Sequence, residues 1–331
     1  MKLAQAVLWS ILSGTGLWLS GCQTPPEGKI PEGKMTGVVD ARPAAMQPAA
    51  RPSLAAVPPG SVPPGSVAPG SIVKLDIPFV TPAGPKQTLD LYIPAQARQA
   101  PVVVYVHAGE WAKRDKNEVG YKPLLLNQHG IILASVNYRL SDTAQHPAQV
   151  NDVAAAVRWL RDHIAAYGGD PRKIILLGHS AGCHLVTLVG LDPRPLAGVG
   201  LQPGDLAGVI SWSGGAFDLV AKANAGGMYA KYIRLNFGDK PEVWRDASPI
   251  AHVGDAKPMP RFLFVSAGAG YAGAREISEE MATRIQAAGG NATCVVLPGK
   301  THATADHDLG MPGDDSSRVL LDFLHAVGAG K

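Results

Sequence analysis

The sequence predicts an α/β fold with a mostly parallel sheet covered by helices on both faces, and three observations predict it. The run Pro101-Val102-Val103-Val104-Tyr105-Val106 is nearly all β-branched or aromatic, the pattern of a strand buried on both sides. Residues 148–167 place Val150, Val153, Ala154, Val157, Leu160 and Ile164 at three- and four-residue spacing, the signature of an amphipathic helix. From about residue 73 onward, strand-like and helix-like segments alternate, which implies parallel strands joined by helical crossovers.

The elements follow in order. Strand-like runs cover residues 72–79, 87–93, 101–106 and 131–136, ahead of the helix at 148–167. Gly168-Gly169-Asp170-Pro171 stops that helix, because neither glycine nor proline continues it well. A strand at 174–177 leads into a helix from about Ala181. Further strands are expected at 209–212, 262–265 and 293–297, with helices at 276–288 and 316–326.

The first 72 residues read differently. Lys2 and the mostly apolar run from Leu3 to Leu19 have the layout of a secretory signal, too short and too interrupted for a membrane span. Leu19-Ser20-Gly21-Cys22 resembles the lipobox of bacterial lipoproteins, which implies cleavage before Cys22 and lipid on its thiol. Residues 23–71 hold 11 Pro and 6 Gly, with Pro-Pro-Gly-Ser-Val repeated in tandem. Such composition cannot bury enough apolar surface to offset chain entropy, so it reads as a disordered or polyproline-like tether. The expected organisation is a signal peptide at 1–21, a lipidated Cys22 with its tether at 22–72, and a catalytic domain at 73–331. That places the protein on the bacterial cell envelope, held to the membrane through lipid alone.

Composition excludes some classes. Thirty basic residues stand against 27 acidic ones, a balance that offers no footprint for nucleic acid. Of the three cysteines, Cys183 and Cys294 read as buried free thiols, and no Cys-x-x-Cys spacing supports zinc. Nothing in the sequence calls for a metal or a cofactor.

The chemistry sits in Gly178-His179-Ser180-Ala181-Gly182, between a buried strand and a helix. In a nucleophile elbow the serine occupies a tight strand-to-helix turn, flanked by small residues that let the backbones pack. The Ala181 N–H, at the start of the helix, can stabilise an oxyanion. Upstream, His107-Ala108-Gly109-Glu110-Trp111 follows an early strand, where a His-Gly-Gly-type loop would supply a second donor. Ala108 and Gly109 are the candidates there, with His107 bracing the loop.

These motifs, with Asp115-Lys116, Asn137-Tyr138-Arg139-Leu140, Gly169-Asp170-Pro171 and Ser248-Pro249, resemble the esterase/lipase group of α/β hydrolases across residues 73–327. The acetyl-xylan/feruloyl-esterase-like and arylformamidase-related branches are the most similar. The resemblance implies a base on the loop after the last strand, where His302 stands in Leu297-Pro298-Gly299-Lys300-Thr301-His302. It also implies an acid after the penultimate strand, but Ser266-Ala267-Gly268-Ala269-Gly270-Tyr271-Ala272-Gly273 contains no carboxylate. Asp218, beyond the preceding strand, is the leading substitute, with Glu276 and Asp306 as alternatives and an unassisted Ser–His dyad as the remaining option. The function implied is hydrolysis of carboxylic esters, on carbohydrates or small molecules, through an acyl-enzyme. An arylformamidase-like amidase is a second reading, and a non-catalytic binding module, favoured only by the missing acid, is a third.

Overall fold

The computed structural model describes residues 65–329. The signal-like segment, Cys22 and most of the expected tether lie outside them. The strands are β1 (Ile72–Pro78), β2 (Thr88–Ile93), β3 (Ala100–Val106), β4 (Ile132–Val136), β5 (Gly169–His179), β6 (Gly208–Trp212), β7 (Arg261–Ala267) and β8 (Asn291–Leu297). They form one eight-stranded sheet in the order β1-β2-β4-β3-β5-β6-β7-β8. β1 and β2 run antiparallel, and β4, β3, β5, β6, β7 and β8 are parallel to one another.

The helices are α1 (Lys122–Gln128), α2 (Ala148–His163), α3 (Ala181–Leu191), α4 (Pro193–Ala197), α5 (Leu219–Asn224), α6 (Gly227–Phe237), α7 (Pro241–Asp246), α8 (Ala274–Ala287), α9 (His302–His307) and α10 (Ser316–Ala326). Strand β3 shows how they cover the sheet. Val102, Val104 and Val106 enter one core with residues of α2, α3 and α8. Val103 and Tyr105 enter the other with residues of α1 and α10. Alternate side chains of a strand point to opposite faces, so an unbroken apolar run is needed to fill both. Each fully buried aliphatic side chain contributes about 1.5–3 kcal/mol of transfer free energy. Packing also extends N-terminal of residue 73, since Val67 contacts the second core and Ser66 is buried.

Several features depart from the expected pattern, the unexpected short helices α1, α4 and α9 among them. α2 ends at His163 and passes through a short 3-10 turn. β5 begins at Gly169, inside the predicted stop signal, because Gly169 pairs with Ala100 after Gly168 turns at φ 82°. Helices α5, α6 and α7 fill the stretch between β6 and β7, where no element was expected. Cys294 is half-buried rather than buried; Cys183 is buried, and both are free thiols. Among the described residues no helix is long and apolar enough to cross a membrane.

Candidate active site

Every parallel strand ends on the same edge of the sheet, and the site forms there. β5 ends at His179 and α3 starts at Ala181, leaving one residue to turn the chain. Ser180 therefore adopts φ 55°, ψ −113°, a region that L-residues seldom enter. The turn closes only because Gly178 and Gly182, two residues away on either side, lack side chains. A Cβ on Gly182 would stand 2.0 Å from the Val106 carbonyl oxygen, and one on Gly178 would stand 2.3 Å from that of Gly182. Glycine at both positions lets α3 press against β3 and β5.

The loop after β3 approaches from the side. Gly109, Glu110 and Trp111 all have positive φ, and Lys113 N–H and Ala112 N–H both donate to the Gly109 carbonyl at 3.0 Å. The Tyr138 hydroxyl donates to the carbonyls of His107 at 3.1 Å and Ala108 at 3.3 Å, and its ring stacks on His107. His107 Nδ1–H donates to Ala108 O at 2.6 Å, so it braces the loop. Burial pushes His107 down to about 4, which keeps its ring neutral. The Trp111 indole N–H donates to His184 Nδ1, anchoring the loop on α3.

His302 begins α9, with Thr301 as its N-cap, accepting a hydrogen bond from Thr304 N–H. Its backbone carbonyl accepts from His179 Nε2–H at 3.0 Å. Its ring is what matters chemically. Nε2 lies 3.0 Å from Ser180 Oγ. Burial, reinforced by the neighbouring His179 and opposed by Asp306, lowers its pKa to about 4. The imidazole is therefore neutral near pH 7 and can accept a proton.

Nδ1 of His302 lies 3.0 Å from the hydroxyl of Ser213, the residue that follows β6. Both ring nitrogens are thus engaged, and neither partner is a carboxylate. The three expected acids are elsewhere. Asp218 caps α5, accepting the Ala221 N–H at 2.9 Å. Glu276 lies exposed in the first turn of α8. Asp306 is buried, paired with Lys122 Nζ at 2.8 Å and accepting the Tyr105 hydroxyl at 3.0 Å. Burial would raise its pKa, but Lys122, His179 and Tyr105 outweigh that and hold the carboxyl well below its usual range. Its nearest approach to the site is His179 Nδ1, at 3.7 Å. The segment after β7 is an exposed loop at Ala269 and Gly270, with Ala269 N–H bound to Lys300 O.

Trp111, Ser180, Ala181, Tyr229, Tyr271 and His302 line a cavity of about 180 Å³. Glu110 also lines it, whereas the expected oxyanion residues Ala108 and Gly109 do not. Ala181 N–H is free of the α3 ladder, as the first amide of any helix is. Tyr229 and Tyr232 come from α6 and Tyr271 from the loop after β7, and no motif or spacing in the sequence marks any of the three. Ser213 is equally unmarked, because a lone serine before two glycines carries no spacing signal. Among the described residues no cluster of three or more His, Cys, Asp or Glu side chains is arranged to hold a metal.

Residues 89–268, more than half of the chain, match the BD-FAE family. The chain belongs to that family. Esterase LipQ of Mycobacterium tuberculosis is 34% identical over 198 residues, covering 55% of this chain and 46% of LipQ. An Arabidopsis thaliana protein, isoprenylcysteine alpha-carbonyl methylesterase ICME, is 28% identical over 66% of this chain and 54% of its own length. The chain thus spans about half the length of the curated relatives it matches. Among solved structures, a truncated carbohydrate esterase from gut microbiota superposes with a TM-score of 0.67 at 22% identity, covering 79% of this chain and 98% of that one. The α/β-hydrolase fold of this BD-FAE member is established by that likeness together with the sheet order.

Proposed function

We propose that this BD-FAE protein hydrolyses carboxylic esters through an acyl-enzyme on Ser180. The observation that carries the proposal is the 3.0 Å contact between Ser180 Oγ and the neutral Nε2 of His302. Ser180 Oγ bonds to the ester carbonyl carbon while its proton passes to His302 Nε2. The oxyanion so formed is held by Ala181 N–H, with an N–H of the loop around Gly109 as the second donor. Collapse breaks the bond to the alcohol oxygen, which takes the proton from Nε2. Water then attacks the acyl carbon, gives its proton to His302, and Ser180 Oγ recovers that proton as the carboxylic acid leaves.

The cavity is small beside the roughly 300–1,000 Å³ of pockets that hold drug-sized ligands, which favours an acyl group of a few carbons. That relatives such as LipQ are named esterases supports the same reaction class. A non-catalytic role would not require a strained Ser180 aimed at a histidine ring. The test compares the full chain with Ser180→Ala on p-nitrophenyl acetate and on a fluorophosphonate probe. Ser180-dependent turnover and labelling are expected; equal turnover by the variant would refute the assignment. The lipobox-like residues before Cys22 support a further part of this reading, attachment to the bacterial envelope through lipid.

A further inference from the structure

Ser213 has an unusual position. It follows β6 at φ 59°, its N–H donates to Val265 O at 2.7 Å, and its hydroxyl meets His302 Nδ1 at 3.0 Å. Left-handed backbone at a non-glycine residue costs of order 1 kcal/mol and persists where the surroundings over-determine it. The packing does so here: the next residue, Gly214, lies so close to α3 that a Cβ on it would stand 2.2 Å from Cys183 Cβ. The strain delivers one hydroxyl to one ring nitrogen, on the side of the imidazole where hydrolase triads carry a carboxylate.

We propose that Ser213 is the third member of this site, an uncharged acceptor that takes the His302 Nδ1–H and leaves the Nε2 lone pair facing Ser180. The inference rests on the esterase reading above. A carboxylate only accepts hydrogen bonds, so it enforces one histidine tautomer and stabilises the imidazolium formed as Ser180 attacks. A serine hydroxyl can accept the same N–H, more weakly and without adding charge, and it can also donate to the opposite, unproductive tautomer. Ser213 therefore orients the ring without raising its basicity. The consequence is a base that stays neutral down to mildly acidic pH, because no carboxylate is bonded to Nδ1 and Asp306 only partly offsets the cost of charging a buried imidazole.

The groups facing His302 set the same balance. His179 on β5 opposes a charge on His302, and Tyr271 stands edge-on at 6.0 Å. Asp306 on α9 is committed to Lys122, and Arg114, on the loop after β3, opposes protonation from a distance. Glu110 lines the same cavity but is paired with Lys113 at 3.0 Å.

Two substitutions test the role in the full chain. Ser213→Gly removes the hydroxyl at a position where glycine relieves the backbone, so folding is preserved. Its kcat on p-nitrophenyl acetate should fall roughly tenfold to a hundredfold with KM little changed, the low end of what a positioned general base contributes. Ser213→Asp should place a carboxylate on Nδ1, which raises the His302 pKa. The acidic limb of kcat/KM, expected near pH 4 in the natural protein because burial lowers the His302 pKa, should then move up by about one pH unit or more. Nitrogen-15 NMR of the histidine ring reads the tautomer without any turnover: Nδ1–H in the natural protein, a mixture in Ser213→Gly. An unchanged tautomer and an unchanged kcat in Ser213→Gly would overturn the proposal, as would an unmoved limb in an active Ser213→Asp. If Ser180 forms no acyl-enzyme yet the tautomer depends on Ser213, the esterase reading fails while the Ser213–His302 contact stands.

Discussion

At His302 a single ring meets two serine hydroxyls from different strands, and the carboxylates that sequence logic offered all turn out to be employed elsewhere. Asp218 lies on the correct edge of the sheet and close behind β6, but its side chain folds back onto Ala221 N–H. We expect Asp218→Ala to cost about 1 kcal/mol as a lost cap and to leave kcat on p-nitrophenyl acetate unchanged. A loss approaching ~10⁴, the scale of a disabled triad acid, would return Asp218 to the mechanism. Ser180 was legible because an elbow needs glycines at fixed offsets. His302 was legible from its place after the last strand. Ser213 was not, since its role depends on a backbone angle and on the separation of β6 from the loop after β8.

Among the elements, the elbow formed by β5 and α3 and the loop after β3 carry most of the precision. Gly182 is the contact point between them, on the helix but against the β3 carbonyls. Adding one methyl there by Gly182→Ala would force α3 away from Val106 O, and overpacking of this kind typically costs about 1–3 kcal/mol. Chemical denaturation should show that loss, and kcat should fall with it because Ser180 moves with α3. A variant as stable as the natural protein would mean the close approach is not needed. The eight strands were legible from their apolar runs, which both cores require. Helices α5, α6 and α7 were not. They are short, and α6 leaves Met228, Tyr229 and Leu235 exposed, so no clean apolar stripe marks it in the sequence. Yet α6 supplies Tyr229 and Tyr232 to the cavity wall.

At the scale of the whole molecule, the proposal joins a hydrolase domain to an N-terminal segment that reads as signal, lipid site and tether. Cys22→Ser should release the protein from the membrane fraction of expressing bacteria, and an unchanged membrane fraction would refute lipidation at that thiol. The sequence by itself determined the fold class and pointed to Ser180 and His302, which the structure brings within 3.0 Å of each other, because each leaves a local mark: a period of hydrophobicity, a glycine spacing, a place after a strand. Tertiary structure alone decided what stands on the far side of His302, which helix walls the cavity and which loop residues face it. Those are contacts between segments distant in the chain; Ser213 and His302 are 89 residues apart. A hydroxyl 3.0 Å from a ring nitrogen is a fact of packing, and no residue next to either partner announces it.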